Sequence, residues 1–168
     1  MDLIIVLTVL VITAAGGIFA FFIRRPKPRK NTDSLYTDAL NAMVRGDSDE
    51  AMRLLRGVVR QDTDHLDAYL QLGDILREEG NPQQAIKVHH SLTVRPGLSE
   101  SLRMHIHKSL AQDYMTVHEP VQARKEAEMI LNIDKKDVWA TEFLLDLAEQ
   151  NQDWGQAAKL VKALEKVK

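Results

Sequence analysis

Histidine and carboxylate side chains are the residues in this sequence that could do chemistry, as metal ligands or as acid-base groups. The six histidines include an adjacent pair, His89 and His90, and a pair two residues apart, His105 and His107. None has the i, i+4 spacing that places two imidazoles on one face of a helix, so no metal site is predicted. The carboxylates of "DTDHLD" at 62–67 lack the glycine and the distal glutamate of a calcium loop, and we interpret them as a turn followed by a helix cap.

Cysteine does not occur among the 168 residues. Its absence excludes disulfide bonds, thiolate zinc sites, iron-sulfur clusters and a cysteine nucleophile. The sequence also contains no P-loop, nucleophile elbow or paired catalytic motif. We therefore expect a protein that is not an enzyme and that uses no cofactor.

An apolar segment near the N-terminus predicts a membrane anchor. It runs from Leu3 to Ile23 without a charged residue. As a helix it would be about 31 Å long, enough to cross the hydrocarbon core of a bilayer. A secretory signal peptide is the competing interpretation, but it would carry positive charge before the apolar run and a cleavage site after it. Only Asp2 precedes this run, so we assign residues 1–23 to a transmembrane anchor.

The basic segment "RRPKPRK" follows the anchor, and we assign residues 24–31 to a juxtamembrane linker. Its prolines end the helix, and its cations can contact anionic lipid head groups. By the positive-inside rule the N-terminus lies outside and everything downstream lies in the cytoplasm. The remaining chain has 23 acidic and 17 basic residues, which disfavours nucleic-acid binding. The membrane-flanking cations are Arg24, Arg25, Lys27, Arg29 and Lys30.

A period of about 34 residues runs through the rest of the chain. Gly80 follows Gly46 by 34 residues, and Ala85 follows Ala51 by the same interval. Self-similarity at a fixed period is the signature of a repeat protein. The alanine series continues at Ala123 and Ala157.

Each unit of this period predicts two amphipathic helices joined by a short turn, such as "GNPQQA". The additional residues "ESLR" at 100–103 add about one turn of helix. Together the units form one domain, residues 32–168, and the four predicted units are 32–65, 66–99, 104–137 and 138–168.

A 34-residue unit of two helices resembles the tetratricopeptide repeat. The resemblance implies an all-α fold, in which a single N-terminal transmembrane helix is followed by an α-solenoid of about four tetratricopeptide repeats. In this family the repeats bind other proteins, so the expected partners are proteins.

Small residues in this pattern lie where two helices approach closely. Gly73 takes the small position of a first helix, and we expect Ala85 of the second helix to pack across it. Gly80 lets the chain leave the first helix, and Pro82 suits the first turn of the next. The predicted repeat-packing residues are Gly73, Gly80, Ala51, Ala85, Ala123 and Ala157.

Two further sets of residues are expected at the helix ends. Asp33, Asp64 and Asp137 precede or begin predicted first helices and are interpreted as N-caps. Trp139 and Trp154 lie beside the turns. They could be residues that contact a partner, but a tryptophan at such a place usually packs in the seam between helices.

The first helices of successive tetratricopeptide repeats line a concave groove, and we predict a protein-binding surface there. It changes from apolar in the first repeat to acidic in the last, which suits a partner segment with an apolar anchor and a basic end. The alternative is that these side chains form an ordinary solvated surface. The predicted groove residues are Tyr36, Leu40, Met43, Leu70, Asp74, Arg77, Lys108, Gln112, Met115, Glu142, Asp146 and Glu149.

The anchor, the basic segment and the repeats together resemble the N-terminal half of the lipopolysaccharide assembly protein B family, heat-shock tetratricopeptide proteins of the bacterial inner membrane. His89 is unusual at its place in a generic repeat and therefore carries more weight in this resemblance than the glycines. The matching residues are Leu72, Gly73, Arg77, Gly80, Ala85, Ile86, His89, Leu92, Asp113 and Tyr114.

The resemblance implies an adaptor. Members of this family bind the deacetylase that catalyses the committed step of lipid A synthesis, and they present this enzyme to a membrane-bound ATP-dependent metalloprotease. In this way they regulate lipopolysaccharide biosynthesis. The rival hypothesis is a scaffold that assembles an envelope or secretion complex and has no role in proteolysis. The sequence leaves the oligomeric state open.

The family also has a C-terminal rubredoxin-like metal domain with two Cys-x-x-Cys pairs. This chain has no cysteine and stops at Lys168. We expect either a truncated sequence or a short paralogue that lacks the metal domain. Functions of that domain are not carried over.

Overall fold

The computed structural model describes residues 31–166. The predicted anchor, residues 1–23, and all but the last residue of the predicted linker lie outside this range. Between residues 31 and 166, none of the helices is long and apolar enough to cross a membrane. The helices described are α1 (Thr32–Val44), α2 (Ser48–Gln61), α3 (Leu66–Glu78), α4 (Pro82–Thr93), α5 (Glu100–Thr116), α6 (Pro120–Ile133), α7 (Val138–Gln150) and α8 (Trp154–Leu164).

The helices pack in the order in which they follow one another along the chain. α1 packs against α2, α3 against α4, α5 against α6, and α7 against α8. The second helix of each pair also packs against the first helix of the next pair. A stack in which each unit contacts its neighbours is a solenoid, so the predicted all-α solenoid is confirmed.

The third pair of helices is longer than the others. α5 begins at Glu100 and has 17 residues, whereas α1, α3 and α7 have 13 each. The four residues "ESLR" therefore extend the start of α5 by one turn, as the sequence predicts. This pair begins ahead of residue 104, while the other three pairs lie inside the predicted ranges.

The turns inside the four pairs share one backbone conformation. Gly46, Gly80, His118 and Gln152 occupy the same position of the turn, and all four have positive φ, between 58° and 78°. In the second pair the N–H of Gly80 donates to the carbonyl of Arg77 at 3.1 Å. This is the left-handed helix end for which glycine is favoured, and the predicted role of Gly80 is confirmed.

The predicted helix caps are partly correct. Asp137 caps α7, because its carboxylate accepts from the N–H of Ala140 at 2.7 Å. The prediction for Asp64 is wrong, since the N-cap of α3 is His65. The Asp64 carboxylate instead accepts a hydrogen bond from Arg95 at 3.1 Å. Asp33 lies inside the first turn of α1.

The core is made by contacts within and between the repeats. The four repeat-packing alanines are all buried. One cluster of buried side chains includes Leu55, Leu72 and Ile75 and joins the first two repeats. A second cluster contains Leu70, Leu92, Ile106 and Leu110 and joins the second repeat to the third.

Candidate protein-binding surface

Gly73 is small because a histidine ring lies over it. A Cβ atom added to Gly73 would stand 2.6 Å from the Cδ2 and Cε1 atoms of His89, and closer still to Nε2. Packed atoms do not tolerate such a distance, so a larger residue would have to displace the ring. The three nearest atoms all belong to this ring, so His89, which the sequence analysis did not name as the partner of Gly73, is what limits the size of residue 73. The predicted packing of Ala85, which lies one helical turn earlier in α4 and is fully buried, stays a prediction.

His89 is fully buried and its two ring nitrogens each have a partner. Nδ1 lies 2.6 Å from the carboxylate of Asp113 in α5, and Nε2 lies 3.1 Å from the carbonyl oxygen of Leu70 in α3. The Leu70 carbonyl and an ionised Asp113 carboxylate both accept hydrogen bonds, so each of them can take one from the ring nitrogen that it faces. Because Asp113 is also fully buried, the pair is closed to a substrate and acts as a structural contact.

Arg77 extends this polar network to the surface of α3. Its Nη1 atom donates to Asp113 at 2.9 Å and lies 2.8 Å from the carboxylate of Asp74. Burial by itself lowers the pKa of Arg77, but its hydrogen bonds and charge attraction to Asp113 and Asp74 outweigh burial and raise that pKa above its ordinary value. Ser109 of α5 donates to Asp74 at 3.1 Å and completes the network.

This network replaces an apolar contact that the other repeats use. The position of His89 is Leu55 in the first repeat and Ala127 in the third, and all three residues are fully buried. The network joins α3, α4 and α5 through charged groups, which need one particular arrangement to be satisfied. It therefore holds the two central first helices, α3 and α5, in a fixed relation to each other.

The predicted groove positions differ in how much of each side chain is accessible. Leu70 is buried beside Leu92, so the prediction that it lines the groove is wrong. Asp74 and Arg77 are partly exposed, but the network already binds them. The remaining nine are at least partly exposed: Tyr36, Leu40, Met43, Lys108, Gln112, Met115, Glu142, Asp146 and Glu149.

A cavity of about 200 Å³ opens between α5 and α7. The Lys108 ammonium lies 4.8 Å from the centre of the Trp139 ring, and Trp139 stacks on Phe143 with ring centres 5.0 Å apart. A cation held over an aromatic face is stabilised by the ring's quadrupole, which keeps Lys108 at the edge of the cavity. The lining residues are Ser101, Met104, His105, Lys108, Ile130, Asp137 and Trp139.

An acidic stripe lies on α7 next to this cavity. Glu142, Asp146 and Glu149 are exposed, and their i, i+4, i+7 spacing puts them on one face of the helix. Like charges at this spacing slightly destabilise a helix, so local stability does not account for them. Cavity and stripe together offer a pocket with both apolar and polar lining residues beside several carboxylates.

The two tryptophans do not occupy similar environments. Trp139 is half-buried and lines the cavity between α5 and α7. The sequence analysis, which expected packing in the seam between helices, did not predict this cavity. Trp154 is 66% exposed, so the expectation that it packs in the seam is wrong. It holds the first helical position, where Pro82 and Pro120 stand in the second and third repeats. That shared position was the signal that it points outward.

Comparison with known proteins identifies the repeat class. A tetratricopeptide-repeat family model matches residues 42–93. A tetratricopeptide repeat protein from Parabacteroides merdae superposes with a TM-score of 0.72 at 19% identity, covering 81% of this chain and 53% of that one. The C-terminal part of a repeat protein from Cytophaga hutchinsonii gives 0.68 at 21% identity, covering 87% and 57%. Residues 42–93 thus match the tetratricopeptide repeat, and the chain shares the fold of tetratricopeptide repeat proteins.

Comparison of sequences finds similarity to one particular bacterial protein. Lipopolysaccharide assembly protein B of Escherichia coli K12 is 24% identical over 132 residues, which cover 79% of this chain and 34% of that protein. The Haemophilus influenzae protein of the same name is 23% identical over 167 residues, covering 89% and 42%. The chain is related to lipopolysaccharide assembly protein B and spans between 34% and 42% of the length of these two relatives.

Proposed function

We propose that this protein is a membrane-anchored adaptor that regulates lipopolysaccharide biosynthesis. In this proposal it links the deacetylase of lipid A synthesis to a membrane-bound ATP-dependent metalloprotease. The observation that carries the proposal is the sequence relation to lipopolysaccharide assembly protein B, which extends over most of the chain.

The proposed anchor is the apolar segment Leu3–Ile23, which lies outside the described residues. The five cations that follow it favour a single-pass protein of the inner membrane with its N-terminus outside. The repeats would then lie in the cytoplasm, where both proposed partners are accessible. In this arrangement the anchor binds the protease, and the repeats bind the deacetylase.

The proposed docking surface for the deacetylase is the cavity beside α5 together with the acidic stripe of α7. An apolar side chain fits the cavity, which Met104, Ile130 and Trp139 help to line. A basic residue nearby in the partner would meet Glu142 and Asp146, and charge complementarity of this kind raises the association rate. The polar network around His89 supports this role because it fixes α5 against α3.

Gene deletion and complementation test the proposal. Loss of the gene is expected to raise the cellular level of the deacetylase, measured by immunoblot, and the wild-type chain should restore it. A double charge reversal, Glu142→Lys with Asp146→Lys, should fail to restore it because the docking surface then repels the basic partner segment. Glu128→Lys is the matched control, since Glu128 is exposed on α6, a second helix.

An unchanged deacetylase level after deletion would contradict the adaptor proposal. Loss of an envelope assembly in the same strain would then favour the scaffold. Full restoration by the double charge reversal would leave the adaptor role standing but would exclude the acidic stripe as its docking surface.

A further inference from the structure

Charge is divided between the first and the second helices of the repeats. The first helices, α1, α3, α5 and α7, contain ten acidic and three basic residues. The second helices, α2, α4, α6 and α8, contain eight basic and four acidic residues. The second helices therefore carry net positive charge although the repeat domain as a whole is acidic. An anionic partner is attracted to the second helices and repelled by the first.

One basic residue recurs at the same place in every second helix. Arg53, Lys87, Lys125 and Lys159 each lie two residues after the repeat-packing alanine, and all four are exposed. Equivalent positions of stacked repeats form a row along the stack. Arg53 pairs with Glu50 of its own helix at 2.6 Å, but 68% of its side chain remains exposed. The positive charge is thus a feature of all four repeats.

The basic surface has a cluster of three arginines in the first repeat. Arg53, Arg56 and Arg60 are exposed, and their i, i+3, i+7 spacing puts them on one face of α2. They help to line an open depression of about 470 Å³. Arg60 complements the helix dipole in the last turn of α2, whereas the other two arginines lie before that turn. We refer to the three residues as the α2 arginine face.

α2 returns toward the start of α1, which directly follows the linker. The two helices are joined by a turn of three residues, 45–47, and run antiparallel. A Cβ atom added to Gly57 would lie 4.0 Å from the Leu35 side chain, so the second half of α2 lies beside the start of α1. Residues 24–31 can span at most about 28 Å. If residues 1–23 form the anchor, the start of α1 therefore stays within this distance of the bilayer surface.

The exposed side chains of α2 suit a charged surface better than a protein interface. They are Asp49, Arg53, Arg56, Arg60 and Gln61, and all of them are polar. Specific protein interfaces depend on a buried apolar core, which these side chains do not offer. The surface of a bilayer with anionic lipids attracts nearby Lys and Arg residues and needs no apolar contact.

We propose that the α2 arginine face binds the head groups of anionic phospholipids on the membrane surface. This inference rests on the membrane anchor of the proposed function, which keeps the first repeat near the bilayer. Because the first helices are acidic, the contact turns them away from the membrane and leaves them accessible to protein partners.

A fluorescent label at position 61 tests this contact in the full chain. The sequence has no cysteine, so Gln61→Cys supplies a single thiol for labelling. The labelled chain is inserted into nanodiscs in which a fixed fraction of the lipid head groups carries a nitroxide quencher. The nanodiscs consist of phosphatidylcholine alone or of equal parts of phosphatidylcholine and phosphatidylglycerol. We expect about twofold stronger quenching with phosphatidylglycerol. Added salt should remove the difference, because it screens the charges.

Two variants with the same loss of charge separate the α2 arginine face from the overall charge of the domain. The α2 variant should lose the difference between the two lipid compositions, and it carries Arg53→Gln, Arg56→Gln and Arg60→Gln. The matched control should keep the difference, and it carries the changes of three exposed residues of the last repeat, Lys159→Gln, Lys162→Gln and Lys166→Gln. Equal loss in both variants would overturn the proposal, because overall charge would then be the cause.

The wild-type side chains give a further test that needs no charge variant. Equal quenching of the label in the two kinds of nanodisc would overturn the inference and leave the adaptor proposal standing. A chain that does not enter nanodiscs would contradict the proposed anchor, and the inference would fall with it. Photo-crosslinking from position 61 to a protein in cells, without crosslinking to lipid, would assign the face to an acidic protein and would overturn the inference too.

Discussion

The contact between Gly73 and His89 is the most specific packing feature at the scale of single residues. The ring lies so close to Gly73 that no side chain fits between them. The ring in turn is held by Asp113 and by the Leu70 carbonyl, so it has little freedom to move aside. Glycine at this position is therefore a consequence of the histidine.

A double-mutant cycle tests this dependence. Gly73→Ala is expected to lower the free energy of unfolding by about 1 to 3 kcal/mol, because the added methyl group overpacks the ring. In a His89→Ala background the same change should raise it by up to about 1 kcal/mol, since alanine is the better helix former. Urea denaturation of the full chain in detergent, followed by circular dichroism, measures both.

The sign reversal is the informative result. His89→Ala by itself is expected to be strongly destabilising, by about 3 kcal/mol or more, because it leaves the buried Asp113 with only Arg77 as a partner. If Gly73→Ala had the same effect in both backgrounds, the ring would not be what keeps Gly73 small.

The sequence could not identify His89 as the side chain that packs on Gly73. A 34-residue period shows which positions are small, and Gly73 was found on that basis. It does not show which side chain of the facing helix reaches over the glycine, and both Ala85 and His89 lie on the facing side of α4. Similarly, Asp64 and His65 both carry acceptors that can cap α3. In the structure the Nδ1 atom of His65 accepts from the N–H of Ala68 and forms the cap.

The turns inside the repeats are the informative elements at the next scale. They share a left-handed residue, which is glycine in the first two repeats but His118 and Gln152 in the last two. A residue with a side chain costs roughly 1 to 2 kcal/mol of folding free energy in this conformation, and replacing it by glycine removes that cost. Glycine also has more conformational freedom in the unfolded chain, which offsets about half of the stability gained by the replacement. The later two turns therefore carry strain that the earlier ones do not.

His118→Gly and Gln152→Gly should each raise the free energy of unfolding by about 0.5 to 1 kcal/mol. The reverse change, Gly80→Ala, should lower it by about 1 kcal/mol, because alanine must then adopt positive φ. Thermal or urea denaturation measures all three variants. A lowered melting temperature for His118→Gly would mean that the histidine side chain makes a stabilising contact that outweighs the backbone strain.

Helices and turns were largely predictable because they depend on local patterns that recur four times. The apolar period placed each helix pair, and glycine or proline marked most of the ends. Accessibility was less predictable, since it depends on what packs against each face. Leu70 has the spacing of a groove residue, but it is buried between the second and third repeats. Trp154 is apolar, but its side chain is exposed.

At the scale of the whole molecule, the proposed function gives two parts of the chain different roles. The proposed anchor and its cations would contact the membrane, and the repeats would bind protein partners. We proposed a role in the regulation of lipopolysaccharide synthesis because the chain is similar in sequence to lipopolysaccharide assembly protein B. In the proposed function the repeats bind the deacetylase, and the anchor region binds the protease.

Site-specific photo-crosslinking in living cells tests whether the two regions bind these two proteins. A photoreactive residue is placed at Gln112, between the cavity and the end of α5, at Val9 in the proposed anchor, and at Glu128 on α6 as the control. We predict that the deacetylase is captured from Gln112, the metalloprotease from Val9, and neither of them from Glu128. Capture of other envelope proteins from Gln112 and Val9, with neither predicted partner among them, would contradict the account.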